Sequence, residues 1–302
     1  MSPTPIPRER VPYSAIVDRA PLALPGGARM VVWTVVNVED WSIERPMPRT
    51  VLPPPMGQPL LPDLPNWAWH EYGMRVGFWR LLDCLRRFDV TATCAVNGIV
   101  CRSYPRVAQA ARDAGWEFMA HGYLQRPMHQ LEDERQVIRE TIATIRAFTG
   151  RAPRGWESPG LTETHGTIDL LAEEGIEYVA DWVLDDQPCR IATSTRPIVS
   201  IPYTLETNDI PTMLIQHHPA EEALRRGIDQ FERLYLESAG ITRVMAISLH
   251  PYISGVPHRI GYIERLYEHI RDKPGVLFWT GEQILDWYLA QSPAAPRKEQ
   301  ER

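Results

Sequence analysis

The residues of this 302-residue chain that could do chemistry collect where apolar runs end. Glu39 and Asp40 follow MVVWTVVNV; His121 follows WEFMA; Glu157 closes RGWE; Asp181, with Asp185 and Asp186 close behind, follows YVA; His217 and His218 follow TMLIQ; His250 follows VMAISL. Carboxylates and imidazoles are the groups that move protons near neutral pH. In parallel α/β architectures the C-terminal ends of strands line the site, so a polar residue just past an apolar strand carries more information than the same residue elsewhere. Any one of these could be a satisfied loop residue; together they point to a shared pocket.

The elements that must position them follow a βα rhythm. Met30–Val38, rich in β-branched residues, reads as a strand buried on both faces. A helix is expected near 76–88, a strand over 92–96, a helix over 104–114, a strand over 116–120 and an amphipathic helix over 132–148 stopped by Gly150. Strands are expected near 154–157, 178–181, 199–203, 212–216, 244–249 and 276–280. Helices are expected over 167–174, 221–238, 259–271 and 283–289. Such alternation implies parallel strands with right-handed crossovers, as a barrel or an open sheet. Residues 1–28 read as a proline-rich arm lying on the domain or on a neighbouring subunit, 29–290 as one domain, and 291–302 as a polar tail. The stretch 45–69 is too proline-dense for a helix or central strand, and loops of that length often build binding sites.

The whole-chain numbers exclude some classes. A net charge of −6 offers no basic face for phosphates, so nucleic acid is not an expected partner. No stretch approaches the roughly 20 apolar residues of a membrane span, so a membrane is not expected either. Cys84, Cys94, Cys101 and Cys189 form no CxxC pair and read as reduced core thiols. The first 20 residues have no apolar signal region, so the expected location is cytoplasmic and the expected partner a small-molecule substrate.

Five segments, in order, resemble the motifs of the NodB-like polysaccharide deacetylases: NVEDW (37–41), AHGYLQ (120–125), RGWESPG (154–160), DW (181–182) and SLHP (248–251). The HGY triplet, the long proline-rich loop after the first strand and DDQP at 185–188 resemble the branch that contains metal-independent allantoinases. The resemblance spans about residues 29–290 and implies a distorted (β/α) barrel of about seven βα units, with attack of water on an amide carbonyl as its chemistry. It implies Glu39 as general base, Asp40 and His121 as metal ligands, and His250 as the acid for the leaving nitrogen or the stabiliser of the oxyanion. A carboxylate can take a proton from water, and an imidazole can return one to nitrogen at neutral pH.

Family members that bind zinc place two histidines one helical turn apart. Here the second position is Gln125; His129, four residues further on, would lie about 12 Å from His121 along a continuous helix, unless a bend through Arg126–Pro127 brings it back. Three readings stay open: no cofactor, with Glu39 and polar neighbours orienting water; a weakly bound divalent metal, zinc first, on Asp40, His121 and Gln125 or His129; or a silent site.

Bland readings stand beside these. Glu39–Asp40 could be a solvated turn, and Asp185–Asp186 a turn anchored by Gln187–Pro188. At most one of His217 and His218 can face a pocket, and only one of Trp156 and Glu157. Trp69, with Trp67 and Tyr72, is either core for the proline-rich loop or a wall for a planar ring, as are Trp156 and Trp182. The substrate-binding candidates are Trp69, Trp156, Glu157, Asp181 and Trp182. The absence of an export signal favours a small cyclic amide, imide or ureide as substrate; an N-acetylated sugar is the alternative, and a silent ligand-binding protein the third. A homodimer or homotetramer is expected.

Overall fold

The Met30–Val38 run forms β1, and all nine of its residues are buried. Its side chains alternate. Met30, Val32, Val36 and Val38 pack under the surrounding helices, whereas Val31, Trp33 and Val35 enter a second cluster, with Tyr178, Tyr203 and Ile284, inside the curl of the sheet. The computed structural model describes residues 7–291; no helix among them is long and apolar enough to cross a membrane.

The other strands are β2 (Thr93–Val96), β3 (Glu117–Ala120), β4 (Gly155–Trp156), β5 (Tyr178–Val179), β6 (Cys189–Ile191), β7 (Ile198–Ser200), β8 (Arg243–Leu249) and β9 (Val276–Phe278). They run in the order β6-β7-β5-β4-β3-β2-β1-β8. One edge of β1 holds β8 over Met30–Val36; the other holds β9 over Met30–Val32 and β2 over Val35–Val38. The chain is thus a curled, incomplete (β/α) barrel. Its seam, between the β6–β7 end and β8, is crossed by two backbone bonds, Val244 N to Asp186 O (2.9 Å) and Ser248 N to Thr207 O (3.1 Å).

Helices α1 (Pro7–Arg10), α2 (Leu64–Tyr72), α3 (Phe78–Arg87), α4 (Val100–Ser103), α5 (Pro105–Asp113), α6 (Glu134–Thr149), α7 (Thr167–Glu173), α8 (Ala220–Glu237), α9 (Pro257–Arg271) and α10 (Gly281–Gln291) complete the fold. Three expectations need correction. The apolar run expected as a strand over 212–216 is a π-helical turn, Ile210–Ile215; so short a run has no period that separates strand from helix. His217 and His218 therefore do not leave a strand. β6 pairs antiparallel with β7, because the short 192–197 connection permits a hairpin but no crossover. The proline-dense stretch ends early, in α2, where Asp63 caps Asn66 N at 3.3 Å and Pro65 occupies the first turn.

Residues 7–28 of the arm lie on the domain across the seam. Arg10 is buried and pairs with both oxygens of Asp169 (2.9 and 2.6 Å), its carbonyl accepts Ala192 N, and Arg19 pairs with Asp185. The segment from Ser292 lies outside the described residues.

Candidate active site

Strand parity builds the site. On β1 the inward positions continue from Val35 to Asn37 and Glu39; on β2 from Ala95 to Asn97; on β3 from Met119 to His121; on β8 from Ala246 to Ser248 and His250. On β4 the parity decides between neighbours: Trp156 is fully buried in the layer under the helices, so Glu157 turns inward. Trp156 therefore does not line the site, and the expectation of a substrate contact there is corrected.

Glu39 sits at the centre, 3% exposed. Its Oε2 accepts Trp41 Nε1 (2.7 Å) and Tyr252 OH (3.3 Å), and its Oε1 accepts Gln125 Nε2 (2.9 Å). The Nε2 atoms of His250 and His121 lie 3.6 and 3.8 Å from Oε1, beyond hydrogen-bond length. Burial alone would push this carboxyl up; the two imidazoles more than offset it and hold Glu39 well below the usual carboxylate range.

His250 is oriented from behind by Asp209, which sequence reasoning missed. Asp209 Oδ1 lies 2.6 Å from His250 Nδ1, and Oδ2 accepts the His250 backbone N–H (2.7 Å) and Ser254 Oγ (2.6 Å). Burial lowers the imidazole pKa, but Asp209 and then Glu39 raise it to about 10. The turn carrying His250 is packed by glycines: a Cβ on Gly73 would fall 2.6 Å from Tyr252 N, and one on Gly77 2.1 Å from Pro251 O.

The segment after β3 is not helical. Gly122 takes φ +69, and a Cβ there would meet Pro159 at 2.8 Å. The bend brings Gln125 to Glu39 and leaves His129 exposed on the turn Met128–Gln130. Asn97 ties this bend down: its amide donates to His121 O and to Gln125 Oε1 (3.1 Å), and its Oδ1 accepts Asp40 N (2.8 Å). His121 Nδ1 lies 2.8 Å from Glu157 O, while its Nε2 is buried without a partner. Asp40 is half-buried, and burial raises its carboxyl although Ser103 counters this. No group of three or more His, Cys, Asp or Glu side chains among the described residues is arranged to hold a metal ion. The donor set does not fit one, since Gln125 offers its amide nitrogen to the base rather than a lone pair to an ion.

The Asn37 amide, 2.9 Å from Ser248 Oγ, lies 3.3 Å from both oxygens of Glu157; with its nitrogen turned to the carboxyl it donates to Glu157 and accepts from Ser248. Burial, with Asp181 adding to it against His121, pushes Glu157 up to about 7. Asp181 Oδ1 accepts Ser158 N (2.6 Å) and its Oδ2 has no partner. Trp182 donates to Glu163 (3.0 Å). Trp69 is half-buried and packs edge-on against Tyr252 and Trp41, with centroids 4.9 and 6.1 Å apart. Asp185 and Asp186 lie at the seam instead, beside Arg19 and Arg243.

The arrangement pairs a carboxylate held toward its ionised form with an imidazole held toward its charged form, and both are buried. That is the state required to accept a proton from one group and deliver one to another.

A sequence model described as polysaccharide deacetylase matches residues 70–179. The crystal structure of a "probable Polysaccharide deacetylase" from Pseudomonas aeruginosa PAO1 is 30% identical, with a TM-score of 0.81, over 90% of this chain and 95% of that one. The Puue allantoinase structure is 26% identical, with a TM-score of 0.83, over 96% of this chain and all of that one. The peptidoglycan deacetylase of Helicobacter pylori (strain ATCC 700392 / 26695) is 26% identical over 72% of this chain and 85% of its own length.

Proposed function

Since the chain belongs to the polysaccharide deacetylase family of hydrolases, of the NodB-like type, we propose that it cleaves an amide-type C–N bond in a small cyclic amide, imide or ureide, without a metal. The observation that carries this reading is Gln125: a neutral donor on Glu39 Oε1 takes the place of a second histidine, so the base is held by protein hydrogen bonds alone. The likeness to an allantoinase over nearly the whole chain supports the ring as substrate class.

In the proposed reaction, water bound between Glu39 and the substrate carbonyl gives a proton to Glu39 while its oxygen bonds to the carbonyl carbon. The tetrahedral oxyanion forms within reach of the His121 Nε2 left unpartnered. His250, charged and aligned by Asp209, then protonates the leaving nitrogen as the C–N bond breaks, and the ring opens to a carboxylate and a free amide or amine. Glu39 passes its proton to His250, which restores both groups, and the product acid becomes the carboxylate by releasing its proton to solvent.

The second reading, deacetylation of an N-acetylated sugar, is favoured by the names of two relatives. Succinimide, hydantoin and allantoin assayed beside chitooligosaccharides separate the two: ring opening is expected, and acetate release alone would overturn the ring assignment.

A further inference from the structure

His70, on the last turn of α2, is 1% exposed, and neither of its ring nitrogens has a hydrogen-bond partner. It stacks on Trp41 (centroids 4.4 Å apart, planes at 19°) and leans on Tyr252 (5.3 Å, 52°). Those two rings are the ones that donate to Glu39 Oε2, so His70 backs the carboxylate at the centre of the site. A phenylalanine would fill the same stack without burying two unsatisfied nitrogens, a cost that native interiors rarely accept unless a ligand or water completes the bonds.

Burial lowers the ring's pKa to about 4, although Glu39 acts against it through both its carboxylate and its backbone carbonyl. The neutral imidazole has one N–H and one lone pair. With neither nitrogen partnered, one of them is a buried acceptor without a donor.

We propose that His70 is a substrate-binding residue whose free ring nitrogen accepts the N–H of the amide, imide or ureide attacked beside Glu39. This deepens the C–N hydrolase reading and rests on it. The contact would select substrates that carry a hydrogen on the nitrogen next to the scissile carbonyl, since a site with a buried acceptor disfavours an analogue that leaves it unpaired.

The test compares succinimide with N-methylsuccinimide on the wild type, His70→Phe and His70→Gln. The wild type is expected to favour the N–H compound about tenfold in kcat/KM, the value of one such bond. His70→Phe, which keeps the stack, should bring that ratio within about threefold, chiefly through KM, and His70→Gln, whose amide oxygen can accept, should restore part of it. A ratio unchanged in His70→Phe overturns the inference. Nitrogen-15 histidine spectra of the Glu39→Gln protein separate the two levels and need no turnover. A shift of the His70 ring nitrogens with succinimide supports both; a shift with tri-N-acetylchitotriose alone keeps His70 as an N–H acceptor and removes the ring substrate. No shift with either removes the His70 assignment.

Discussion

Replacing Asp209 by asparagine keeps the shape of the group behind His250 and removes its charge, which makes it the sharpest probe of the proposed proton delivery. The His250 imidazole stands at about 10 against an ordinary 6.5, and the causes that raise it are Asp209 at 2.6 Å and Glu39 at 3.6 Å, working against burial. One nearby opposite charge is worth about 1–3 pH units, so losing the closer of the two should bring the ring down to about 8. At pH 9 such a ring is only about one-tenth protonated, and kcat/KM relative to pH 7 should fall about tenfold, whereas the wild type should lose about a tenth. The assay is the pH dependence of kcat/KM on whichever ring the panel identifies. An alkaline limb that stays in place in a variant with near-normal activity at pH 7 would refute the role of His250 as acid.

Stability gives a second readout with a definite sign. A group whose folded pKa is raised contributes stability that is fully present below its unfolded pKa, here 6.5, and that is lost as the pH rises through the folded value, about 10. Asp209→Asn removes much of that contribution and leaves two buried donors with a poorer acceptor. Its Tm deficit should therefore be largest near pH 6 and shrink toward pH 10; a deficit that grows with pH contradicts the charge pair.

Glu39→Gln should lower kcat by about 10²–10⁴-fold with KM little changed, and turnover surviving this change together with His250→Ala would move the site elsewhere. Metal analysis of the purified protein should find less than stoichiometric zinc and full activity after chelation; stoichiometric zinc lost in His121→Ala would overturn the metal-free reading. Glu117, buried at the opposite end of the barrel against Thr93, Tyr178 OH and Glu282 N, is pushed by burial up to about 7. Its contribution is present below an unfolded 4.5 and lost as pH rises through about 7, so Glu117→Gln should raise the unfolding free energy measured by urea denaturation, relative to wild type, by more at pH 8 than at pH 5, by up to about 3 kcal/mol. The apolar residues Val51, Leu52, Leu60 and Leu61 on the proline-rich loop and Leu64 at the start of α2, each about half exposed, lead us to expect a homodimer or homotetramer by light scattering, and a monomer at micromolar concentration would refute that.

What the sequence showed and what it hid follow from the range of each signal. Strand parity is local, so a reading of strand exits reached Glu39, His121, Glu157 and His250, all of which the fold turns inward. Asn97 follows β2 in the same way and is legible by that rule, but its amide does not titrate and so carries no mark of chemistry, although it orders the site as firmly as an acid. Asp209 and His70 carried no such mark. Asp209 precedes an apolar run whose π-helical form has no sequence period, and it meets His250 only because the seam brings Asn208 beside Ser248, 40 residues on. His70 lies in a helix whose aromatic spacing reads as packing, which is half of what it does. Gln125 is the instructive case. Read from spacing, it was a defect in a metal site; read from geometry, it is a donor to the base, and Gln125→His should therefore cost activity rather than repair it. That substitution removes the 2.9 Å bond and sets a third imidazole against Glu39, near two already charged or poised to charge. If Gln125→His instead gains zinc and turns over faster with it, Asp40 and His121 are ligands in waiting, and the base is not organised by hydrogen bonds alone.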